Sequence, residues 1–310
     1  MNKTTILLTG GGGMVGCNIL EHPAIRDFEV LAPRSHELDL RDFYAVQAYL
    51  CKYQPDMVIH AAGKVGGIQA NMREPVSFLM DNLDMGRNIV WAAHQAGIKR
   101  LINLGSSCMY PRNHSEPLHE EMILKGELEP TNEGYALAKV ITARLCDYIM
   151  REDASYQYKT LIPCNLYGRH DKFDPAHSHL LPAIIHKVHQ AKQSNQKSVE
   201  IWGDGTARRE FMYAGDLADA VVRAINNFET LPTYMNVGLG YDFTINEYYQ
   251  AAAEVMGYTG SFVHDVSKPV GMVRKLVSVK RQQAWGWNAQ HDLKTGVAKT
   301  YEFYLKEYLQ

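Results

Sequence analysis

A glycine-rich turn directly after a short apolar run is the feature that most restricts the fold of this chain. The run Thr4–Thr9 leads into Gly10 and Gly13, and Gly16 follows three residues later. The first glycine permits a tight turn, the second lets backbone approach a pyrophosphate, and the third lets a helix pack closely on a strand. The following helix would offer N–H groups and a positive dipole end to phosphates. The pattern therefore predicts a βα unit that binds a dinucleotide.

Strand-like and helix-like segments alternate through the first half of the chain. The predicted strands are Thr4–Thr9, Phe28–Ala32, Met57–Ala62, Leu101–Leu104 and Lys159–Pro163. The predicted helices are Met14–Leu20, Phe43–Lys52, Asn82–Ala96 and Tyr135–Arg151. This alternation is typical of βαβ units, and right-handed crossovers then give a doubly wound parallel sheet of the Rossmann type. We predict the α/β class.

The pattern changes after Asn165. Asn, Gly, Asp, His and Pro are frequent in Asn165–Ser178, which predicts an irregular surface segment. Later predicted helices are Leu180–Gln193, Asp216–Asn227, Phe243–Met256 and Leu293–Tyr308, and predicted strands are Val199–Trp202 and Tyr234–Val237. The last of these strands could return to the main sheet. We expect a dinucleotide-binding domain at 1–165 and a smaller, partly interleaved α/β substrate domain at 166–310.

Charge and hydropathy exclude several classes of protein. The 32 basic and 34 acidic residues give a net charge of −2, so we expect neither a nucleic-acid partner nor an anionic membrane surface. Apolar runs are too short to cross a bilayer, and the N-terminus lacks a signal-peptide pattern. Five scattered cysteines fit reduced thiols in the cytoplasm. Without CxxC or HExxH spacing, we expect no metal site.

The residues after the second predicted strand bear on the choice of cofactor. An acidic residue at this point favours NAD, whereas a basic one accommodates the 2′-phosphate of NADP. Arg34 and Ser35 stand here without Asp or Glu, which favours NADP(H). As an alternative, Arg34 is a solvated loop charge, and Asp39 lies near the adenine instead.

Candidate catalytic groups follow the fourth predicted strand. Tyr135 and Lys139 have YxxxK spacing on a predicted helix, and residues four apart share one helix face. The ammonium is expected to lower the pKa of the Tyr135 phenol, which could then exchange a proton with a carbinol oxygen. Ser106 could hydrogen-bond the same oxygen because side chains at the carboxyl ends of strands face the cofactor crevice. The alternative for Ser106 is a capping serine in a loop.

Several longer motifs carry a resemblance to a known family. They are TGGGGMVG, KVGGI, SSCMYP, EPTNEGYALAK, PCNLYGRHDKFDP, SHLLPAII and WGDGTARREF. The chain resembles the GDP-L-fucose synthases, which are extended short-chain dehydrogenase/reductases, from about Thr5 to about residue 285. The resemblance implies NADPH-dependent epimerisation and 4-reduction of GDP-4-keto-6-deoxy-D-mannose to GDP-L-fucose. It also implies a homodimer.

The resemblance also implies roles for individual residues. Ser106, Tyr135 and Lys139 match the reductive triad, and Cys108 and His179 match the acid/base pair of epimerisation. With the glycine turn, the expected cofactor-binding residues are Gly10, Gly13, Met14, Val15, Gly16, Arg34, Ser35, Leu104, Gly105, Lys139, Pro163, Asn165, Leu166 and His179. Lys187, Trp202 and Arg209 match substrate-binding positions, where cationic side chains suit a diphosphate.

Departures from the family pattern leave the sugar open. Val270 and Ser278 replace acidic residues, which bears on the specificity for nucleotide and sugar. Gly11 and Gly12 replace His and Arg, which bears on the cofactor contacts. One alternative substrate is GDP-4-keto-3,6-dideoxymannose, which gives GDP-L-colitose, and another is a GDP-heptose analogue. An alternative of another class is an NADP-sensing binding protein. Such proteins usually lose the catalytic tyrosine and lysine, and loss of NADPH absorbance with substrate would distinguish the two classes.

Overall fold

A six-stranded parallel sheet forms the centre of the molecule. The computed structural model describes residues 3–174, 178–268 and 273–308. The sheet contains β1 (Thr5–Thr9), β2 (Glu29–Leu31), β3 (Met57–His60), β4 (Arg100–Leu104), β5 (Gln157–Pro163) and β10 (Tyr234–Val237), in the order β10-β5-β4-β3-β1-β2. Every pairing is parallel, so the predicted doubly wound sheet is confirmed. The strand order reverses between β1 and β3, and ligands bind at such a switch point.

Ten α-helices surround this sheet and its extensions within the described residues. They are α1 (Met14–Glu21), α2 (Phe43–Tyr53), α3 (Ile68–Arg73), α4 (Pro75–Gln95), α5 (Glu133–Glu152), α6 (Leu180–Gln193), α7 (Ala214–Asn226), α8 (Ile245–Met256), α9 (Lys280–Ala284) and α10 (Leu293–Phe303). α1 packs against α7 on one face of the sheet, and α4 packs against α2 and α5 on the other. Buried side chains alternate between the two faces, with Leu7 in one core and Ile6 and Leu8 in the other. None of the helices in the described ranges is long and apolar enough to span a membrane.

A second core lies among α6, α8 and α10 and is joined to three small sheets. The remaining strands are β6 (Asn165–Tyr167), β7 (Ser198–Trp202), β8 (Arg208–Arg209), β9 (Phe211–Tyr213), β11 (Phe243–Thr244), β12 (Ser261–Asp265) and β13 (Arg274–Lys275). β6 pairs with β9, β7 pairs with β12, and β8 lies between β11 and β13. Strand β10 joins β5, so the chain returns to the main sheet after building part of this second core.

The structure corrects several predicted boundaries. The segment Asn165–Ser178, predicted as irregular, begins with β6, whose partner β9 lies more than 40 residues away and gives no local signal. Residues 175–177 of that segment lie outside the described residues. Helix α4 begins at Pro75 because proline suits the first helical position. Helix α8 begins at Ile245 because Thr244 and Glu247 form a capping box.

Two glycines with the same backbone angle allow the glycine turn to be tested. Gly10 has φ +73° and Gly97 has φ +74°, but only at Gly10 would a Cβ meet backbone, 2.7 Å from Ala62. We expect Gly97→Ala to lower the free energy of unfolding by about 1–2 kcal/mol, the left-handed penalty alone. Gly10→Ala should lower it by several kcal/mol more, as measured by urea denaturation. Equal losses in the two variants would contradict the close approach at Gly10.

Candidate active site

The glycine turn forms the phosphate side of the crevice. The Gly13 N–H donates to the Gly10 carbonyl (2.9 Å), and α1 begins at Met14 with Gly13 as its N-terminal cap. A Cβ at Gly16 would lie 2.2 Å from the Gly10 oxygen, so only glycine fits there. The first N–H groups of a helix have no partners within it, and those around Met14 and Val15 are placed to bind phosphate.

A cationic side chain covers the outer side of this turn. A Cβ at Gly12 would lie 2.2 Å from Arg34 Nη1, so the guanidinium rests on the turn itself. The Arg34 backbone N–H donates to the Glu37 carboxylate (2.6 Å), and Ser35 is exposed beside it. The glycine turn, the first N–H groups of α1 and the charge of Arg34 together fit a phosphorylated dinucleotide. Asp39, the alternative adenine contact, is instead paired with Arg41.

A buried hydrogen bond joins β1 to β3 beneath the crevice. The Thr9 hydroxyl lies 2.9 Å from His60 Nδ1, and it also accepts the Ala62 N–H (3.3 Å). Burial, with a smaller effect from the nearby Lys139 charge, lowers the pKa of His60 to about 3. His60 therefore stays neutral and links the two strands whose ends face the cofactor. The sequence analysis missed this pair, although Thr9 ends one predicted strand and His60 lies within another.

Lys139 ties helix α5 to the end of β4. Its ammonium donates to the carbonyl of Leu104 (3.0 Å) and lies 5.9 Å from the centre of the Tyr135 ring. The next residue of the chain, Gly105, is itself bonded to β5 through its N–H. Tyr135 lies in the first turn of α5, and its phenol is close enough to Ser106 for that hydroxyl to lower its pKa. The structure thus brings together the predicted triad.

The pKa of Tyr135 differs from the expectation. Burial raises it, the neighbouring Cys108 raises it further, and only the hydrogen bond with Ser106 lowers it. The prediction that Lys139 lowers this pKa is therefore wrong for the protein without bound ligands. The lysine is itself buried, which lowers its pKa to about 8. Near neutral pH, Tyr135 holds its proton and Lys139 is mostly an ammonium ion, as suits a proton donor.

Cys108 lies beside these hydroxyl groups, and its sulfur has two polar partners. Its backbone N–H donates to the Ser106 hydroxyl (3.2 Å) within a short 3₁₀ turn. Its sulfur accepts from Asn132 Nδ2 (3.1 Å) and from Lys275 Nζ (3.5 Å). The sequence analysis assigned no role to Asn132 or Lys275. The position of Asn132, three residues before Tyr135, was the only local signal.

The remaining predicted cofactor residues lie at the ends of β5 and α6. Pro163 ends β5, Leu166 is half-buried in β6, and the Asn165 amide donates to the backbone carbonyl of Glu210 (3.0 Å). His179 caps the N-terminus of α6. Burial lowers the pKa of His179, and the charge of Lys172 lowers it further.

Two of the three predicted substrate residues lie together. Lys187 Nζ lies 5.4 Å from the centre of the Trp202 ring, and Lys268 Nζ lies 5.7 Å from it. Trp202 is 44% exposed, so a planar base could stack on it. Arg209 lies on β8, paired in register with Lys275 of β13.

The structure describes one of the two positions at which the family pattern has an acidic residue. The Ser278 N–H donates to Leu118 O (2.8 Å). Val270 lies outside the described residues. Within the described ranges, no group of three or more His, Cys, Asp or Glu side chains could hold a metal ion.

Comparison with known proteins now identifies the family. The model of the "NAD dependent epimerase/dehydratase family" matches residues 6–238. The chain belongs to this family. It is 55% identical to a GDP-L-colitose synthase of Yersinia pseudotuberculosis, over 97% of this chain and 98% of the relative. It is 49% identical to a GDP-L-fucose synthase of Azorhizobium caulinodans, over 97% and 96%. Among solved structures, a GDP-D-glycero-L-gluco-heptose synthase of Campylobacter jejuni, determined in the presence of NADPH, has a TM-score of 0.90 and 29% identity over 99% of both chains.

The buried His60 gives a pH test of the site. The unfolded chain protonates this histidine near pH 6.5, whereas the folded chain does so only near pH 3. The unfolded state therefore binds more protons between these values, and stability falls as the pH falls. We expect His60→Gln to reduce this fall by up to about 1.4 kcal/mol per pH unit between pH 6 and 4, as measured by urea unfolding. His36→Gln, at an exposed position, should keep the wild-type slope. Parallel curves for wild type and His60→Gln would contradict a neutral, buried His60.

Proposed function

We propose that the protein is an NADPH-dependent epimerase-reductase of a GDP-4-keto-6-deoxy sugar. One observation carries the proposal: the side chains of Ser106, Tyr135 and Cys108 lie together, since the Cys108 N–H donates to the Ser106 hydroxyl and both residues act on the pKa of Tyr135. Hydroxyl donors for one carbonyl oxygen and a thiol for a neighbouring carbon are the two elements that reduction and epimerisation need. The family match and the GDP-sugar relatives support the same chemistry.

The cofactor is NADP(H), which supplies a hydride when bound. The glycine turn and the first N–H groups of α1 would hold its pyrophosphate. Arg34 and Ser35 would hold the 2′-phosphate, because a guanidinium binds phosphate oxygens in a fork. The ends of β4 and β5, with Leu104, Gly105 and Pro163, would border the nicotinamide. The solved relative determined with NADPH supports this cofactor.

In the reduction, Ser106 and Tyr135 both donate hydrogen bonds to the sugar C4 carbonyl oxygen. This polarises the carbonyl for hydride attack, and Tyr135 then gives its proton to the developing alkoxide. The raised pKa of Tyr135 keeps that proton in place until it is needed. The Lys139 ammonium stabilises the tyrosinate left behind by its positive charge.

In the epimerisation, the same two hydroxyls stabilise an enolate oxygen. Protons on the carbons next to the carbonyl then become removable. One member of the pair takes a proton on one face of the sugar, as the Cys108 thiolate or the neutral His179 imidazole. The other member gives a proton back on the opposite face, as the imidazolium or the thiol. Burial favours neutral His179, which suits it to take the proton and so become the imidazolium.

On the nucleotide side, the indole of Trp202 would stack on the guanine. The ammonium of Lys187, which lies next to that indole, would neutralise charge on the diphosphate. Arg209 would bind a phosphate. Relatives at 55% and 49% identity favour two substrates over the GDP-heptose analogue, whose solved relative is 29% identical. The two favoured substrates differ in the 3-hydroxyl of the sugar. The GDP-L-fucose synthase relative supports GDP-4-keto-6-deoxymannose, and the GDP-L-colitose synthase relative, at higher identity, supports the 3-deoxy compound.

Incubation with NADPH and each of these substrates tests the proposal. We expect loss of NADPH absorbance with at least one, and NMR of the product should show GDP-L-fucose from the first or GDP-L-colitose from the second. If neither substrate consumes NADPH, the enzymatic proposal fails and an NADP-sensing role becomes the better explanation.

Two variants should separate the partial reactions. Tyr135→Phe should slow NADPH oxidation by about 10²–10⁴-fold because the proton donor is lost. It should still exchange deuterium next to the ketone in D₂O. Cys108→Ser should lose most of this exchange but reduce an already epimerised substrate. Equal loss of both reactions in each variant would refute the division of roles.

We further propose that two copies associate through α4 and α5. These helices pack against each other, and both expose apolar side chains. The exposed residues are Val76, Met80 and Trp91 on α4 and Leu137, Ile141 and Tyr148 on α5. Their spacing places each set on one helix face, and a patch of this kind marks an association surface. A two-fold axis would pack the pair on its own copy as a four-helix bundle.

The free cysteines support a reducing compartment such as the cytoplasm.

We expect Ile141→Glu to convert the dimer into monomers, because two glutamates would be buried at the symmetric interface. Light scattering after size-exclusion chromatography measures the mass. Tyr44→Glu, at an exposed position on α2, is the control and should leave the dimer mass unchanged. A wild-type monomer, or an unchanged mass for Ile141→Glu, would rule out this interface.

A further inference from the structure

A lysine from a distant part of the chain reaches the thiol of the proposed site. Lys275 lies on β13, and its ammonium is 3.5 Å from the sulfur of Cys108. The two residues are 167 positions apart, so only the tertiary fold brings them together. Cys108 is half-buried, and the contact is therefore partly shielded from water.

A buried carboxylate fixes the strand that carries this lysine. Asp242 accepts from Arg208 Nε (2.6 Å) and from Arg274 Nε (2.5 Å), and its backbone carbonyl accepts a third bond from Arg208 (2.7 Å). Its side chain is only 2% exposed. Burial opposes the charge of Asp242, but the hydrogen bonds from the two arginines hold its pKa below the ordinary value. The carboxylate thus joins β8 to β13.

The alternation of side chains along these strands explains the position of Lys275. Arg208 pairs with Arg274, and Arg209 pairs with Lys275 in the parallel register. Successive side chains of a strand point to opposite faces. Because both members of the first pair turn towards Asp242, both members of the second pair turn to the other face. That is the face on which Lys275 meets Cys108.

We propose that Lys275 is a positioning residue that pairs with the thiolate of Cys108 and orients its sulfur for proton transfer. This inference rests on the proposed function, in which Cys108 exchanges a proton with the sugar. The thiolate is the reactive form of cysteine, and a neighbouring lysine favours it. Asn132 adds a neutral donor to the sulfur (3.1 Å). Tyr135 is also close to this thiol, and its phenol is uncharged near neutral pH. The contact with Lys275 therefore brings a positive charge to the sulfur without an opposing negative charge on Tyr135.

The rate of Cys108 alkylation by iodoacetamide tests this pairing without any sugar or cofactor. Peptide mass spectrometry follows each cysteine separately across a pH series. We expect Lys275→Met to slow alkylation of Cys108 about tenfold at pH 7 and to move its pH profile to higher pH, since an adjacent charge is worth about one pH unit or more. Lys275→Arg should retain most of the wild-type rate. The exposed Cys51 is the internal control and should react equally in all variants.

The same samples report whether each variant is folded. Buried Cys146 and Cys164 should stay unlabelled in a folded protein. Rates are compared only over the reaction times at which both of them remain unlabelled. Lys275→Gln provides a second neutral variant to which the same criterion applies. Asp242→Asn, which weakens the link between β8 and β13, should also slow Cys108 alkylation although Lys275 is present.

An unchanged pH profile in the neutral variants would overturn the proposal. An equal decrease in the alkylation rate of Cys108 in Lys275→Arg and Lys275→Met would also overturn it. The positive charge would then not be the cause of the fast reaction. Failure of the wild type to convert any GDP-keto sugar would refute the proposed function instead, while the alkylation result would still report the Lys275–Cys108 pairing.

Discussion

The hydrogen bond from the Lys139 ammonium to the Leu104 carbonyl holds the two walls of the crevice together. One wall is the end of β4, which continues into Ser106 and Cys108, and the other is the first turns of α5. Together with the packing of α5 on the 3₁₀ turn that contains Cys108, this bond fixes the distance between Tyr135 and the serine hydroxyl. The ammonium is buried and its pKa is lowered to about 8, so its positive charge is maintained against a desolvation penalty. The same charge adds to burial, which is the main reason that His60 stays neutral.

The site joins parts of the fold with different tasks. The glycine turn shapes the proposed phosphate site through its backbone, and the Thr9–His60 hydrogen bond links the two strands beside it. The proposed catalytic hydroxyls come from the segment after β4 and from α5. The nucleotide side of the substrate would meet α6, β7 and β8, where Lys187, Trp202 and Arg209 lie. A parallel sheet with a second core beside its carboxyl edge is suited to this division, because the reacting groups meet where both units border the same cleft.

Much of the fold was predictable because its signals are local. The strands and helices of the parallel sheet follow from hydrophobic periodicity, and the glycine turn follows from three residues within one turn. Cys108, Tyr135 and Lys139 were found because YxxxK and SSCMYP are short motifs. Lys275 was missed because its significance depends on the Asp242 link between strands of two residues, which have no periodicity. The pKa of Tyr135 was predicted in the wrong direction because burial, which a sequence does not show, has the largest effect on it.

The long separation between Cys108 and Lys275 has a consequence for synthesis on the ribosome. The segments that carry Ser106, Cys108, Tyr135 and Lys139 leave the ribosome early, whereas β13 emerges after most of the chain. Until then, the nascent polypeptide contains a cysteine whose cationic neighbour has not yet been translated. A product that stops before Arg274 would lack that neighbour and also Val277, Val279 and Trp287 of the main core, so the thiol gains its ammonium only when the last core side chains are available.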